Sequence, residues 1–306
     1  MFKKLNNKKI FSLLLALMLV VGMSVSSFAA TLTDDGILVV KAIEGSNQYT
    51  AEMKFVDVGG VTRYTGYIEF PNSSSVDLSN VEIVATITGS YTLEVDGTPY
   101  TPNMSVDFSE GYVDFVLKSG STVYRTYQIN AGIDGTNVLI FVTIDLENVN
   151  DWLDGTYVSP NKEGYIVPKA INNPLAEARA QAAVNGLESG SLLIPFVANI
   201  GDSAMTTFSK AIASTNLNVV GISSGYVSEI GRGSADTLPD TLFQRTEGAP
   251  NFPPGDYMKD RTGWIYLMND IVADMGASQY IITASDSTLT WGYTFDWGID
   301  LGGPEW

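Results

Sequence analysis

Apolar and polar residues alternate along most of the first half of the chain. In Thr65–Phe70, Ile68 and Phe70 fall on one side of an extended strand, and Thr65, Tyr67 and Glu69 on the other. The same texture recurs in short runs, from ILVVKAI at 37–43 through YTAEMKFV, TRYTGYIEF, VEIVATIT, YTLEV, SVDFSEGYVDFVL and TVYRTYQINA to NVLIFVTIDL at 137–146. Turn formers separate the runs: Gly59-Gly60, Asn72-Ser73, Gly89-Ser90, Asp96-Gly97, Gly120-Ser121 and Asp134-Gly135. Strands at that spacing, with few helical windows between them, predict an antiparallel β-sandwich over 31–165.

The pattern then changes. NDWLDGTYVSPNKEGYIVP reads as loop, and NNPLAEARAQAAVNGLESG is the clearest helix in the chain. Asn173 is its N-cap, Pro174 fits the first helical position, and Gly186 or Gly190 ends it. Leu175, Ala178, Ala182 and Leu187 form its expected buried stripe. The segment 166–190 therefore reads as a helical linker, either lying on one domain or standing between two.

A second domain is predicted over 191–306. SLLIPFVAN is a strand, and GDSAMTTFSKAIAST a helix capped by Asp202 or Ser203, with Met205, Phe208 and Ile212 on one face. NVVGISSGYVSEIG gives one or two strands, and the polar, Pro- and Gly-rich stretch 232–262 an exposed insert. TGWIYLMNDIVADMGASQYII then reads as two apolar strands around an Asn269-Asp270 turn, and STLTWGYTFDWGIDLGG supplies a last strand. Strand, helix, strands, loop, hairpin and strand in that order make a β-grasp-like α+β domain. The whole chain is mainly β with some α.

Composition narrows the setting. Lys3, Lys4, Lys8 and Lys9 precede the apolar run IFSLLLALMLVVGM, and SSFAA offers a cleavage site after Ala29 or Ala30. Residues 1–30 are thus a signal peptide, the protein is secreted or extracellular, and the mature chain is expected to carry no membrane span. The full chain has 17 Lys+Arg against 34 Asp+Glu, net −17. Loss of the four signal lysines takes the mature chain to 13 cationic residues and a net charge of −21. A chain this acidic repels nucleic acid. The 306 residues include no His and no Cys, so thiol catalysis, disulfides, the commonest general base and the commonest zinc ligands are all missing.

The candidate chemistry lies in aromatic side chains. Trp264 and Tyr266 are two apart on one strand, and Trp291 and Tyr293 two apart on another, so each pair shares a face. With Tyr226 these are the candidate ligand-binding residues; Trp297 is a further aromatic in the same region. They either fill a small core or present rings to a flat ligand or partner. The tryptophans fit the core and the tyrosines the rim. Asp286, Asp296 and Asp300 read as turn-capping carboxylates, with a calcium site as the alternative; their spacing does not follow the EF-hand loop. No serine nucleophile motif or phosphate-binding loop is present, and the chain is expected not to be an enzyme.

Several motifs are ordered as in one known family. They are Gly201-Asp202-Ser203-Ala204 at a helix start and Gly225, Tyr226 and Ile230. Then come Gly263, Trp264, Tyr266 and Asn269, and finally Trp291, Tyr293, Thr294, Asp296, Gly298, Asp300, Leu301 and Gly302. On these residues the stretch 195–303 resembles the bacterial domain family related to the C-terminal β-domain of transcobalamin and intrinsic factor. Asp270 replaces the family's usual glycine, Ser285-Asp286-Ser287 a more glycine-rich turn, and the insert at 232–262 is longer. The helical barrel that completes the vitamin site in transcobalamin has no counterpart. The stretch from Asp96 to Ile133 resembles bacterial cadherin-like and immunoglobulin-like surface domains.

The resemblance implies a non-enzymatic ligand-binding protein, with cobalamin or another corrinoid as candidate ligand. The alternative is a structural or adhesive cell-surface protein that binds a protein or glycan partner.

Overall fold

The computed structural model describes residues 36–58, 61–160, 174–187, 190–233, 236–239 and 261–303. Among them are eighteen strands and three α-helices, and the chain is mainly β with some α. The expected signal peptide, most of the 232–262 insert and the predicted cap Asn173 lie outside the described residues. No helix of the described residues is long and apolar enough to cross a membrane.

Ten strands build the first unit: β1 Leu38–Glu44, β2 Asn47–Thr50, β3 Glu52–Val58, β4 Val61–Phe70, β5 Val81–Ile87, β6 Thr92–Val95, β7 Thr98–Pro99, β8 Met104–Val106, β9 Val113–Ser119 and β10 Thr122–Ile133. They form a four-stranded sheet, β2-β1-β5-β8, and a six-stranded one, β3-β4-β10-β9-β6-β7. The two inner faces enclose one core, with Leu38, Val40, Ile68, Phe70, Ile83, Phe115, Leu117 and Ile129 almost wholly removed from water. Burying each such side chain stabilises the fold by about 1.5–3 kcal/mol. The expected sandwich is therefore present, with one departure from an antiparallel arrangement: β4 and β10 run parallel, Tyr64 beside Tyr127 through Phe70 beside Ile133.

The strand at 137–146 corrects the expected extent of the sandwich. β11 Asn137–Asp145 leaves β10 after three residues and joins a different sheet. It pairs antiparallel with β12 Ser191–Asn199 and parallel with β18 Thr288–Thr294. β16 Gly263–Met268 and β17 Ile271–Val272 complete the sheet in the order β12-β11-β18-β16-β17. Numbered within this sheet the order is 2-1-5-3-4, with the first and fifth strands parallel at the centre and a helix after the second. This is the β-grasp order, and it exists only because β11 supplies the first strand.

Three helices serve this second unit. α1 Glu147–Asp154 buries Val149, Trp152 and Leu153 and stops at Gly155, whose φ of 76° lets its N–H close the last turn. α2 Pro174–Gly186 packs into the same core. Its buried side chains are Ala176, Ala180, Ala183, Val184 and Leu187, while Leu175 and Ala178 are exposed. Leu187 is buried as expected and Ala182 half-buried, but earlier in the helix the buried face lies one to two residues further round than expected. The small alanines, not Leu175, form the contact, because they let the helix approach its neighbours closely. α2 is part of this core and not a free-standing spacer. α3 Ala204–Ala213 starts at Ser203, whose Oγ accepts the Thr206 N–H, and buries Met205, Phe208 and Ile212 as predicted. A small sheet of β13 Asn218–Val220, β14 Glu229–Gly231 and β15 Leu238–Pro239 lies beside α2.

Candidate ligand cleft

The aromatic hairpin is first of all a core element. β16 and β18 are antiparallel, Trp264 opposite Tyr293 and Tyr266 opposite Trp291. Opposed residues share a face, so all four rings stand on one side of the sheet. Trp264 meets Tyr293 edge-on with centroids 5.2 Å apart, and Tyr266 lies 5.5 Å from Trp291. Phe208 of α3 covers Trp291 at 4.8 Å. All four residues are buried. Trp264 Nε1 donates to the Leu238 carbonyl, and the Tyr266 hydroxyl to the Met275 carbonyl at 2.7 Å. Burial raises the Tyr266 phenol to a pKa of about 12, with Tyr280 and Asp274 adding to the shift.

The turn at Asn269-Asp270 is the expected two-residue connection, with φ of 52° and 63°. The second apolar run is not the long strand expected after it: β17 is only Ile271–Val272. Beyond it the Ala273 N–H donates to the Tyr266 carbonyl and the chain turns away, so β17 covers only the Tyr266–Met268 end of the outer edge of β16.

A cleft of about 620 Å³ opens at this edge. Trp264, Tyr266 and Trp291 contribute to its lining together with Tyr226 and Trp297. Ile265, Val272, Ala273, Gly276, Ala277 and Ile299 make most of the rest, with Arg261 the one charged side chain among the described lining residues. Four of the five predicted site residues therefore meet in one cleft. Tyr293 does not: it is fully buried beneath Trp264 and Phe295. The expected division of tryptophans to the core and tyrosines to the rim also fails for Tyr266 and Tyr293. Both sit on the inward face beside the tryptophans.

The rim is Tyr226 and Trp297, which keep 50% and 51% of their surface exposed. Tyr226 follows a 3-10 turn at Ile222–Ser224. Gly221, at φ 98°, opens that turn, and a Cβ there would strike the Tyr226 carbonyl. Trp297 has φ 57°, a left-handed conformation that a bulky residue seldom adopts. The surrounding bonds hold it there. The Trp297 N–H donates to the Arg261 carbonyl at 3.0 Å, and the N–H groups of Asp296 and Gly298 both donate to Thr294 Oγ1. Such strain persists where neighbours over-determine the backbone, and it gathers at functional sites. Trp297 is the rim residue that strand periodicity missed. Its signal was a tryptophan set inside the Asp296–Gly298 turn, where no buried face calls for one.

The three carboxylates hold this frame. Asp296 is fully buried between the Arg261 guanidinium at 3.0 Å and the Ser159 hydroxyl at 2.6 Å. Asp300 accepts from Tyr157 OH, Asn148 Nδ2, Thr294 Oγ1 and the Phe295 N–H. Burial pushes the Asp300 carboxyl up, against the opposing effect of these donors. Asp286 caps the preceding turn, accepting from Thr283, Tyr280 and Asn269. Among the described residues no group of three acidic side chains is arranged to hold a metal ion.

Comparison of the chain with family models, curated proteins and solved structures gives no match.

Proposed function

We propose that this is an exported, non-enzymatic protein whose C-terminal unit binds a small flat ligand in the aromatic cleft. The observation that carries the reading is the pair of half-exposed rings, Tyr226 and Trp297, at the mouth of an apolar cleft of about 620 Å³. Small-molecule sites are concave, mostly apolar and of roughly 300–1,000 Å³. A ring left half in water is favourable to cover, and a strained backbone that presents one is unfavourable to keep without a use. The resemblance of 195–303 makes a corrinoid such as cobalamin the first ligand to try. The first thirty residues support export.

An adhesive reading has its own support. Ile271, Met275 and Ile281, which follow the hairpin turn, are exposed apolar side chains of the kind a protein partner covers.

The test is calorimetric titration of the mature chain with cyanocobalamin. Micromolar binding that disappears in Tyr226→Ala and in Trp297→Ala supports the corrinoid reading. No heat at millimolar vitamin removes the corrinoid. Tryptophan fluorescence against a panel of other flat ligands then decides whether the cleft binds small molecules at all.

A further inference from the structure

The sign of the ligand's charge can be read from the cleft, on the basis that the cleft binds a ligand. Five of its lining side chains are aromatic: Tyr226, Trp264, Tyr266, Trp291 and Trp297. The face of an aromatic ring carries negative potential, that of tryptophan most strongly. The only cation among the described lining residues is Arg261, and fully buried Asp296 neutralises it at 3.0 Å. The lining itself therefore brings no net positive charge to the cleft. The full chain has a net charge of −17, and Asp274, between the lining residues Ala273 and Gly276, already acts on the Tyr266 phenol. A field of this sign concentrates cations and excludes anions.

We propose that the cleft selects an organic cation: an alkylated, positively charged nitrogen on a flat apolar body. Ring faces, a neutralised arginine and the acidic surroundings all favour the same sign. The degree of alkylation follows from the walls. Apart from the Tyr226 and Tyr266 hydroxyls the side chains offer no neutral acceptor, and Ile265, Val272, Ala273 and Ile299 offer none, so the three N–H groups of a primary amine are not all satisfied. A quaternary nitrogen has no N–H to satisfy and packs against rings directly. The charged end belongs at the mouth, against Trp297 and Tyr226, where the rings are half exposed and the nitrogen keeps part of its hydration while it packs on their faces.

The experiment compares two probes of one shape, 4-hydroxy-N,N,N-trimethylanilinium and 4-tert-butylphenol. They are titrated into the mature chain at mildly acidic pH, where both phenols keep their proton. The cation should bind about tenfold tighter or better, equivalent to about 1.4 kcal/mol. The preference should shrink in about 1 M salt and vanish in Trp297→Leu and in Tyr226→Leu, with circular dichroism confirming that both variants fold. Equal binding, or tighter binding of the neutral probe, overturns charge selection and leaves the ligand cleft standing. Binding of neither probe at millimolar concentration overturns this inference, while the corrinoid titration and the ligand panel decide the ligand-binding reading separately.

Discussion

The carboxylate of Asp296, with no solvent exposure, stands 3.0 Å from the guanidinium of Arg261, which is partly exposed at the cleft wall. The pair ties the residue that begins the approach to β16 to the turn that follows β18. Arg261→Ala removes the cationic partner of a buried carboxylate that also accepts from the Ser159 hydroxyl. Breaking fully buried pairs destabilises by roughly 3–5 kcal/mol. Water can reach this pair from the Arg261 side, so a loss of about 2 kcal/mol is expected. Urea unfolding should show it, and the double variant Arg261→Ala with Asp296→Asn should recover part of the loss. Equal stability of the wild type and Arg261→Ala would show that the pair does not hold the turn.

Trp297→Gly separates stability from binding. Glycine takes φ near 57° without strain, whereas an L side chain there is disfavoured by about 1–2 kcal/mol. Removing a half-exposed ring offsets part of that gain. The melting temperature of Trp297→Gly should therefore stay within a few degrees of the wild type or rise, while ligand binding is lost. A large fall in melting temperature would make Trp297 a packing residue and weaken the case for the cleft.

Asp270→Gly should stabilise the hairpin. Asp270 has φ 63° at the second position of a two-residue turn, where glycine is strongly preferred. Its side chain makes only a long contact with Thr288 at 3.4 Å. A gain of about 1 kcal/mol is expected from relief of the left-handed backbone, set against glycine's larger entropy loss, seen as a higher urea midpoint with an unchanged slope.

Glu147→Gln should stabilise at neutral pH and not in acid. Glu147, in the first turn of α1, lies near Asp145 and Asp151, and repulsion by Asp145 followed by burial raises its carboxyl above the ordinary range. Burial raises Asp145 in turn. A carboxyl whose folded pKa is raised favours the protonated folded form. Stability is therefore lost as pH rises from the unfolded value, near 4.5, through the folded one. Melting at pH 7 should improve by about 1 °C, from a few tenths of a kcal/mol, and the difference should vanish near pH 4. A gain of equal size at both pH values would point to a cause other than charge repulsion.

Much of the architecture was legible because it is written locally. Alternation marked Ile68 and Phe70 as core, Ser203 capped α3, and Asn269-Asp270 fixed the two-residue turn. The rule that residues two apart share a face placed Trp264 with Tyr266 and Trp291 with Tyr293, although it could not say that the face was covered by Phe208. Local pattern does not say which sheet a strand joins. β11 alternates like the strands before it, and its three-residue connection to β10 looks like any sandwich turn. Only the pairing of Ile144 with Trp291 and of Val142 with Ile194 assigns it to the second sheet, where it supplies the strand that makes the order 2-1-5-3-4.

The sequence by itself determined the β character, the acidic charge, the absence of thiol and imidazole chemistry, and the aromatic residues in play. The tertiary structure decided which of those aromatics remained available. Tyr293 disappeared into the core because its face is covered. Trp297 came to the rim because backbone N–H groups of Phe295, Trp297 and Gly298 donate to Asp300, the Arg261 carbonyl and Thr294 Oγ1 and hold the turn in a left-handed backbone. Side-chain period follows from the geometry of one strand. Exposure depends on what distant segments place above it, and that is a property of the assembled sheet.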